Sequence, residues 1–161
     1  MLYEDIFERL EQEGVRYVVI GSFALALRGH DRRAADLDIV VDGAGDGPRR
    51  ATRALGGAGF VPTVPLALGA VTVLRMFDAG RREVDVFVRS HVPFAELWSG
   101  SERVRVGRTY ARVASVADII RAKRLTGRPA DIREADQLLA AEAARRRARS
   151  ARPASESESR R

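Results

Sequence analysis

Two aspartates, Asp36 and Asp38, interrupt the apolar run DLDIVVD that covers residues 36–42. Its β-branched content predicts a strand, on which both carboxylates point to one face with Cα atoms roughly 6 to 7 Å apart. Carboxylates at this spacing can converge on two divalent ions roughly 3.5 to 4 Å apart, as in two-metal phosphoryl-transfer sites. Mg²⁺, which prefers hard oxygen ligands, would remove the repulsion between them.

A third aspartate, Asp85, interrupts a second apolar run, REVDVFV. Strand alternation puts it on the same face as Glu83 and Phe87. If this strand lies beside DLDIVVD, Asp85 completes a triad of carboxylates. Acidic residues are also ordinary on a solvent-facing strand, and Asp-x-Asp by itself is a weak signal. The pair alone therefore indicates a surface strand more often than a metal site.

Hydrophobic periodicity sets these strands among helices and predicts an α/β (α+β) domain: a mixed sheet flanked by helices, then a helical C-terminal segment. The predicted strands are 15–20, 36–42, the hairpin 70–77 with 82–88, and a smaller hairpin over 103–113. The predicted helices are 2–13, 23–29, 48–58, 93–98, 116–125 and 128–147. Ser115 and Asp118 suit a capping box, and Asp131 suits an N-cap of the last helix.

The net charge of +6 comes from one end of the chain. Residues 143–161 hold seven Arg and two Glu, whereas residues 1–142 are nearly balanced. We therefore expect a folded domain over 1–142 and a basic tail over 143–161 that extends a helix briefly and is then disordered. Its role is a solvated terminus or a weak contact with RNA or an acidic partner.

Several classes of protein are excluded or disfavoured by composition. The chain has no cysteine, which excludes disulfides and thiolate metal sites. It shows neither a signal-peptide pattern nor an apolar run of membrane-spanning length, so we expect a cytoplasmic protein.

Lys123 is the only lysine beside 27 arginines. A site that needs a compact ammonium would resist replacement of lysine by arginine.

The segment before the first aspartates carries a second signal. Gly21 and Ser22 lie between a predicted strand and a predicted helix. Glycine there permits close backbone approach, and free N–H groups at a helix start attract phosphate. Ser22 is also a suitable N-cap.

Together these features resemble the nucleotidyltransferase superfamily of DNA polymerase beta-like fold, and more narrowly its minimal nucleotidyltransferases and the AbiEii-type proteins of toxin–antitoxin modules. The resemblance spans about residues 3–140. The first family pattern matches Gly21, Ser22, Ala24, Leu25, Gly29, Arg32, Asp36 and Asp38. The second matches Lys123, Gly127, Arg128, Pro129 and Asp131. The chain departs from these patterns at Ala34, where a threonine is expected, and at Ala130, where a lysine is common.

The resemblance implies transfer of a nucleoside monophosphate from an NTP to an acceptor hydroxyl, with release of pyrophosphate. Asp36, Asp38 and Asp85 are the implied catalytic residues and ligands of Mg²⁺, two ions in number, with Mn²⁺ as a substitute. Asp85 is also a candidate acceptor of the hydroxyl proton. Gly21 and Ser22 would hold the β- and γ-phosphates.

Three cations, Arg32, Lys123 and Arg128, are candidates for contact with phosphate or acceptor, and ordinary surface charges explain them about as well. The acceptor is expected to be a protein side chain or tRNA, and a cognate toxin or antitoxin is an expected partner. Two alternatives remain. One is a catalytically silent antitoxin or regulatory module that binds and masks a partner. The other is transfer to a small molecule such as an antibiotic, which we disfavour because so short a chain leaves little room for an acceptor domain.

Overall fold

The structure, a computed structural model, describes residues 2–34 and 36–152. Within these residues it has six helices and eight strands. The helices are α1 (Glu4–Gln12), α2 (Gly21–Leu27), α3 (Gly47–Gly57), α4 (Phe94–Gly100), α5 (Val116–Leu125) and α6 (Pro129–Ser150). The strands are β1 (Tyr17–Ile20), β2 (Leu37–Val41), β3 (Val61–Pro62), β4 (Leu66–Leu68), β5 (Val71–Phe77), β6 (Glu83–Arg89), β7 (Glu102–Val106) and β8 (Thr109–Val113).

All eight strands form one mixed sheet in the order β3-β5-β6-β2-β1-β8-β7, with β4 also paired to β5. Strand β2 runs antiparallel to β1 and parallel to β6. Both expected hairpins are present, β5 with β6 and β7 with β8. The predicted class, a mixed sheet flanked by helices with a helical C-terminal segment, is confirmed.

Packing in the hydrophobic core holds the central strands of this sheet in position and register. Helix α1 packs against α3 and β8, and its Phe7 ring stacks on Tyr17 of β1 with centroids 6.0 Å apart. Ile39 of β2 and Val86 of β6 are completely or almost completely buried. A one-residue slip would move these side chains to the opposite face, so their burial fixes the register of the strands.

Two predicted boundaries are corrected. Strand β2 begins at Leu37, so Asp36 lies in a bend before the strand and not within it. Helix α6 begins at Pro129 with Arg128 as its N-cap residue, so Asp131 lies in the first turn and is not the N-cap. Proline is favoured at the first helical position because its missing N–H would have no helical partner there.

The C-terminal segment continues α6 through Ser150, so residues 143–150 of the basic tail are helical. Residues 153–161 lie outside the described residues, so disorder in that part stays a prediction. The division into a domain over 1–142 and a tail also stays a prediction. Within residues 2–34 and 36–152, no helix combines the length and the apolar character that crossing a membrane requires.

Candidate active site

Strand register brings Asp38 and Asp85 side by side. Asp38 of β2 is paired with Asp85 of β6, and their parallel strands place paired residues on the same face. Ile20, the last residue of β1, is paired with Asp38. The sheet therefore brings together two aspartates that lie 47 positions apart in the chain, as the sequence predicts.

Gly21 lies against the carboxylate of Asp38. Its φ of +71° is in the region that favours glycine, and a Cβ atom at this position would collide with Asp38 Oδ2. Glycine is thus required here both by backbone conformation and by the close approach of the carboxylate. Helix α2 starts at Gly21 with Ile20 as its N-cap residue. Gly21 and the partly buried Ser22 therefore lie within the helix and not before it, and the prediction of Ser22 as its N-cap is wrong.

Among the carboxyl groups of the site, Asp38 has the most strongly shifted pKa. The pKa of Asp38 is raised from its usual 3.8 to about 7, mainly by burial and then by the neighbouring charges of Asp85 and Asp36, while Arg75 opposes the shift. Asp36, although exposed and outside the strand, is therefore close enough to act on Asp38. Near neutral pH, ionisation of Asp38 beside the other two carboxylates is therefore unfavourable.

Arg75 is a site residue that the sequence analysis missed. It lies on β5 opposite Asp85. Its Nε and Nη2 donate hydrogen bonds to Asp85 Oδ1 and Oδ2, each at 2.8 Å. Arg75 Nε also lies 2.9 Å from Glu83 Oε1. An arginine within the apolar run of β5 could have been singled out from the sequence. Its partner could not, because the pairing depends on the length of the hairpin turn between β5 and β6.

Lys123 and Arg32 share one carboxylate on α6. Lys123 Nζ lies 2.7 Å from Glu134 Oε2, and Arg32 Nη1 lies 3.1 Å from Glu134 Oε1. His30, in the same loop as Arg32, has Nε2 3.0 Å from Glu142 Oε1. Helix α6 thus holds the loop that leads toward Asp36, a role that periodicity alone does not assign to Glu134.

Arg128 is the most exposed of the predicted site cations, with 74% of its side chain accessible. Its Nε lies 2.6 Å from Asp131 Oδ2, which also accepts a hydrogen bond from Thr126 Oγ1 at 2.6 Å. These contacts lower the pKa of Asp131, with the Thr126 bond as the main cause and burial opposing it. Asp131 therefore orders the start of α6 from within its first turn.

A cavity of about 560 Å³ connects part of this set. Gly21, Asp85, Lys123 and Arg128 line it, whereas Ser22, Arg32, Asp36 and Asp38 do not. Its apolar wall comes from the sheet and from α5 and includes Val73, Phe87 and Ile119. The lining thus combines charged side chains with an apolar wall, a combination that suits a ligand with both an anionic and an aromatic part.

The three predicted metal ligands are chemically suited to Mg²⁺ or Mn²⁺, because Asp36, Asp38 and Asp85 offer only hard carboxylate oxygens. Across residues 2–34 and 36–152, however, no group of three His, Asp or Glu side chains is arranged to hold a metal ion as it stands. Both oxygens of Asp85 are engaged by Arg75. Binding of an ion would require these side chains to rearrange.

Comparison with known proteins gives the fold its family context. No protein-family model matches the chain, and no curated protein matches it significantly. Among solved structures, it is similar to TM1012 of Thermotoga maritima, a provisionally assigned nucleotidyltransferase, with a TM-score of 0.63 and 19% identity over 83% of this chain and 88% of that one.

A second similar structure is ANT(2″)-Ia, solved in complex with adenylyl-2″-tobramycin. The TM-score is 0.55 and the identity 16%, over 85% of this chain and 84% of that one. At these identities the similarity establishes the fold alone. The chain therefore has a nucleotidyltransferase-type fold, in agreement with the first resemblance, and the AbiEii-like subfamily stays a prediction.

Proposed function

We propose that this protein is an Mg²⁺-dependent nucleotidyltransferase that transfers a nucleoside monophosphate from an NTP to a hydroxyl group of a protein or tRNA. The observation that carries the proposal is the pairing of Asp38 with Asp85 on adjacent parallel strands, with Gly21 against the Asp38 carboxylate. A purely structural surface does not require two carboxylates to face each other at this cost in charge repulsion.

In the proposed reaction, the acceptor oxygen attacks the α-phosphorus, and the bond from that phosphorus to the bridging oxygen breaks. Pyrophosphate leaves with the electron pair, and the hydroxyl proton of the acceptor passes to Asp85, the candidate proton acceptor, or to solvent water. Mg²⁺, when bound, neutralises the triphosphate charge and lowers the pKa of the acceptor hydroxyl. Asp36 and Asp38 would hold the metal that accompanies the triphosphate, and Asp85 would hold the metal that lowers the pKa of the acceptor hydroxyl.

The remaining residues serve to position the nucleotide. The cavity that Asp85 shares with Gly21 also contains Lys123, whose ammonium is a compact charge suited to phosphate. Gly21 and Ser22 would face the β- and γ-phosphates, and the apolar wall that includes Phe87 would receive the base. Arg32 and Arg128 are candidates for contact with phosphate or acceptor, although both are paired with carboxylates in this structure.

The biological setting belongs to the same proposal. The narrower resemblance suggests a toxin–antitoxin module, with a cognate toxin or antitoxin as partner.

The similarity to ANT(2″)-Ia supports the small-molecule alternative, which chain length disfavoured in the sequence analysis. ANT(2″)-Ia carries an adenylylated tobramycin, and this chain covers 84% of its length. Chain length therefore does not argue against a small acceptor.

The catalytically silent module also has an observation in its favour, because Arg75 engages both oxygens of Asp85. Asp38→Asn separates this alternative from the enzyme. Neutralisation of a partner that survives the substitution supports masking, whereas loss of nucleotide transfer together with the biological effect supports catalysis.

The test of the proposed function is incubation of the purified protein with Mg²⁺ and each α-labelled NTP, alongside total tRNA, cell lysate and an aminoglycoside. The matched control is Asp42→Asn, because Asp42 follows β2 at its other end and bonds to Arg16 instead of the site. We expect label on one acceptor class, lost in Asp38→Asn and kept in Asp42→Asn. Absence of label with every nucleotide and acceptor would count against the enzyme.

A further inference from the structure

Arg75 engages both oxygens of Asp85, the atoms through which this carboxylate would bind a cation. The guanidinium makes a two-bond contact with the carboxylate, with both donor–acceptor distances at 2.8 Å. The contact joins paired residues of neighbouring strands, so the backbone register holds the two side chains opposite each other. Two-bond contacts of this type between arginine and a carboxylate are among the stronger hydrogen-bonded pairs in proteins.

Glu83 gives Arg75 a second partner on the same strand as Asp85. Its Oε1 lies 2.9 Å from Arg75 Nε, and it precedes Asp85 by two residues, which places both carboxylates on one face of β6. The Arg75 side chain is 47% accessible, whereas that of Asp85 is 12% accessible. The arginine therefore has room to move while it keeps one acidic partner.

We propose that Arg75 is a positioning residue that competes with the metal ion for Asp85 and shifts onto Glu83 when the ion binds. This inference rests on the proposed function, since it concerns the metal site of that reaction. In the metal-free protein, Arg75 offsets negative charge where Asp85 faces Asp38. In the proposed competition, an arriving ion gains the Asp85 oxygens by displacing one or both hydrogen bonds from Arg75.

The proposed competition predicts in which direction the affinity for a cation changes, and this affinity can be measured without catalytic turnover. Removal of Arg75 should tighten cation binding, because the ion then meets a free carboxylate. Removal of the charge on Glu83 should weaken it, because the displaced arginine loses its alternative partner. The second effect should shrink once Arg75 is absent, and this coupling separates the proposed shift from a general change in electrostatic potential.

The experiment is titration of the full-length protein with Mn²⁺, followed by calorimetry and by the electron paramagnetic resonance signal of the free ion. The variants are Arg75→Met, Arg75→Lys, Glu83→Gln and the double variant Arg75→Met/Glu83→Gln, with Asp38→Asn as the variant that should abolish binding. The control for loss of one positive charge is Arg89→Met, because Arg89 lies on the same sheet and donates to the carbonyl of Gly69.

We expect Arg75→Met to lower the Mn²⁺ Kd roughly tenfold or more, the range implied by loss of a charge-assisted hydrogen-bonding competitor. Arg75→Lys should give an intermediate Kd because lysine cannot make the two-bond contact. It also serves as the test if Arg75→Met does not fold. Arg89→Met should change the Kd less than about twofold.

Three results would overturn the inference. Unchanged or weaker Mn²⁺ binding in both Arg75 variants, with binding still abolished by Asp38→Asn, would overturn the competition and leave the metal site of the proposed function standing. An equal effect of Glu83→Gln in both backgrounds would overturn the shift onto Glu83. Absence of Mn²⁺ binding in every variant would overturn the competition together with the metal site.

Discussion

Asp38→Asn should stabilise the metal-free protein while it abolishes the proposed activity. The pKa of Asp38 is raised from 3.8 to about 7, first by burial and then by the charges of Asp85 and Asp36. Each pKa unit corresponds to about 1.4 kcal/mol of differential interaction. Ionising this group in the folded state therefore costs up to about 4 kcal/mol, and asparagine at position 38 avoids the cost.

The pH dependence gives this prediction its sign. Between about pH 4 and pH 7, the folded state retains a proton on Asp38 that the unfolded state has lost. This term makes the free energy of unfolding fall as pH rises, by up to about 1.4 kcal/mol per unit, and it levels off above pH 7. Asp38→Asn lacks this contribution, so its stability advantage should grow over that interval and then remain constant.

Urea unfolding of both proteins at pH 5, 6, 7 and 8 measures the difference. Addition of Mg²⁺ at pH 8 is the internal control, since it should stabilise the wild type and leave Asp38→Asn unchanged. Parallel stability curves across this pH range would refute the argument that Asp38 is buried among like charges. A growing disadvantage of the Asn variant with pH would refute it as well.

Three further substitutions test the surrounding contacts. Gly21→Ala should lower the free energy of unfolding by about 1 to 3 kcal/mol more than Gly59→Ala does. Both glycines have a positive φ, but only a Cβ atom at position 21 would collide with a carboxylate. Equal losses of stability in urea unfolding would show that the collision is relieved. Glu134→Gln should cost about 1 to 2 kcal/mol, because Lys123 and Arg32 lose a shared carboxylate, and an unchanged urea midpoint would contradict this. Lys123→Arg should weaken NTP binding in calorimetry, because the guanidinium cannot replace a compact ammonium, and wild-type affinity would count against a phosphate role.

Six of the eight strands, β1, β2 and β5 to β8, could be predicted from sequence because alternation and β-branched content are local signals; the short strands β3 and β4 were missed. The same alternation placed Asp38 and Asp85 on matching faces, and the sheet then paired them. Asp36 was predicted within the strand, yet β2 starts one residue later. Strand ends depend on hydrogen-bond partners in other segments, and a local pattern does not contain them.

The contacts of the charged side chains could not be predicted in the same way. The pairing of Arg75 with Asp85 follows from a five-residue turn between Phe77 and Glu83, and a shift of one residue would have paired Asp85 differently. The contact of Glu134 with Lys123 depends on how α6 packs against α5. Such contacts arise from tertiary packing, which periodicity does not encode.

The central claim is that Asp36, Asp38 and Asp85, which lie near the starts of β2 and β6, support nucleotidyl transfer. The most direct test compares α-labelled with γ-labelled ATP, GTP, CTP and UTP in the presence of Mg²⁺ and the acceptor fractions. We expect that label from the α position enters an acceptor, that label from the γ position appears only in pyrophosphate, and that Asp38→Asn loses both signals. Transfer of γ label to the acceptor, or α-label transfer that survives Asp38→Asn, would contradict the account.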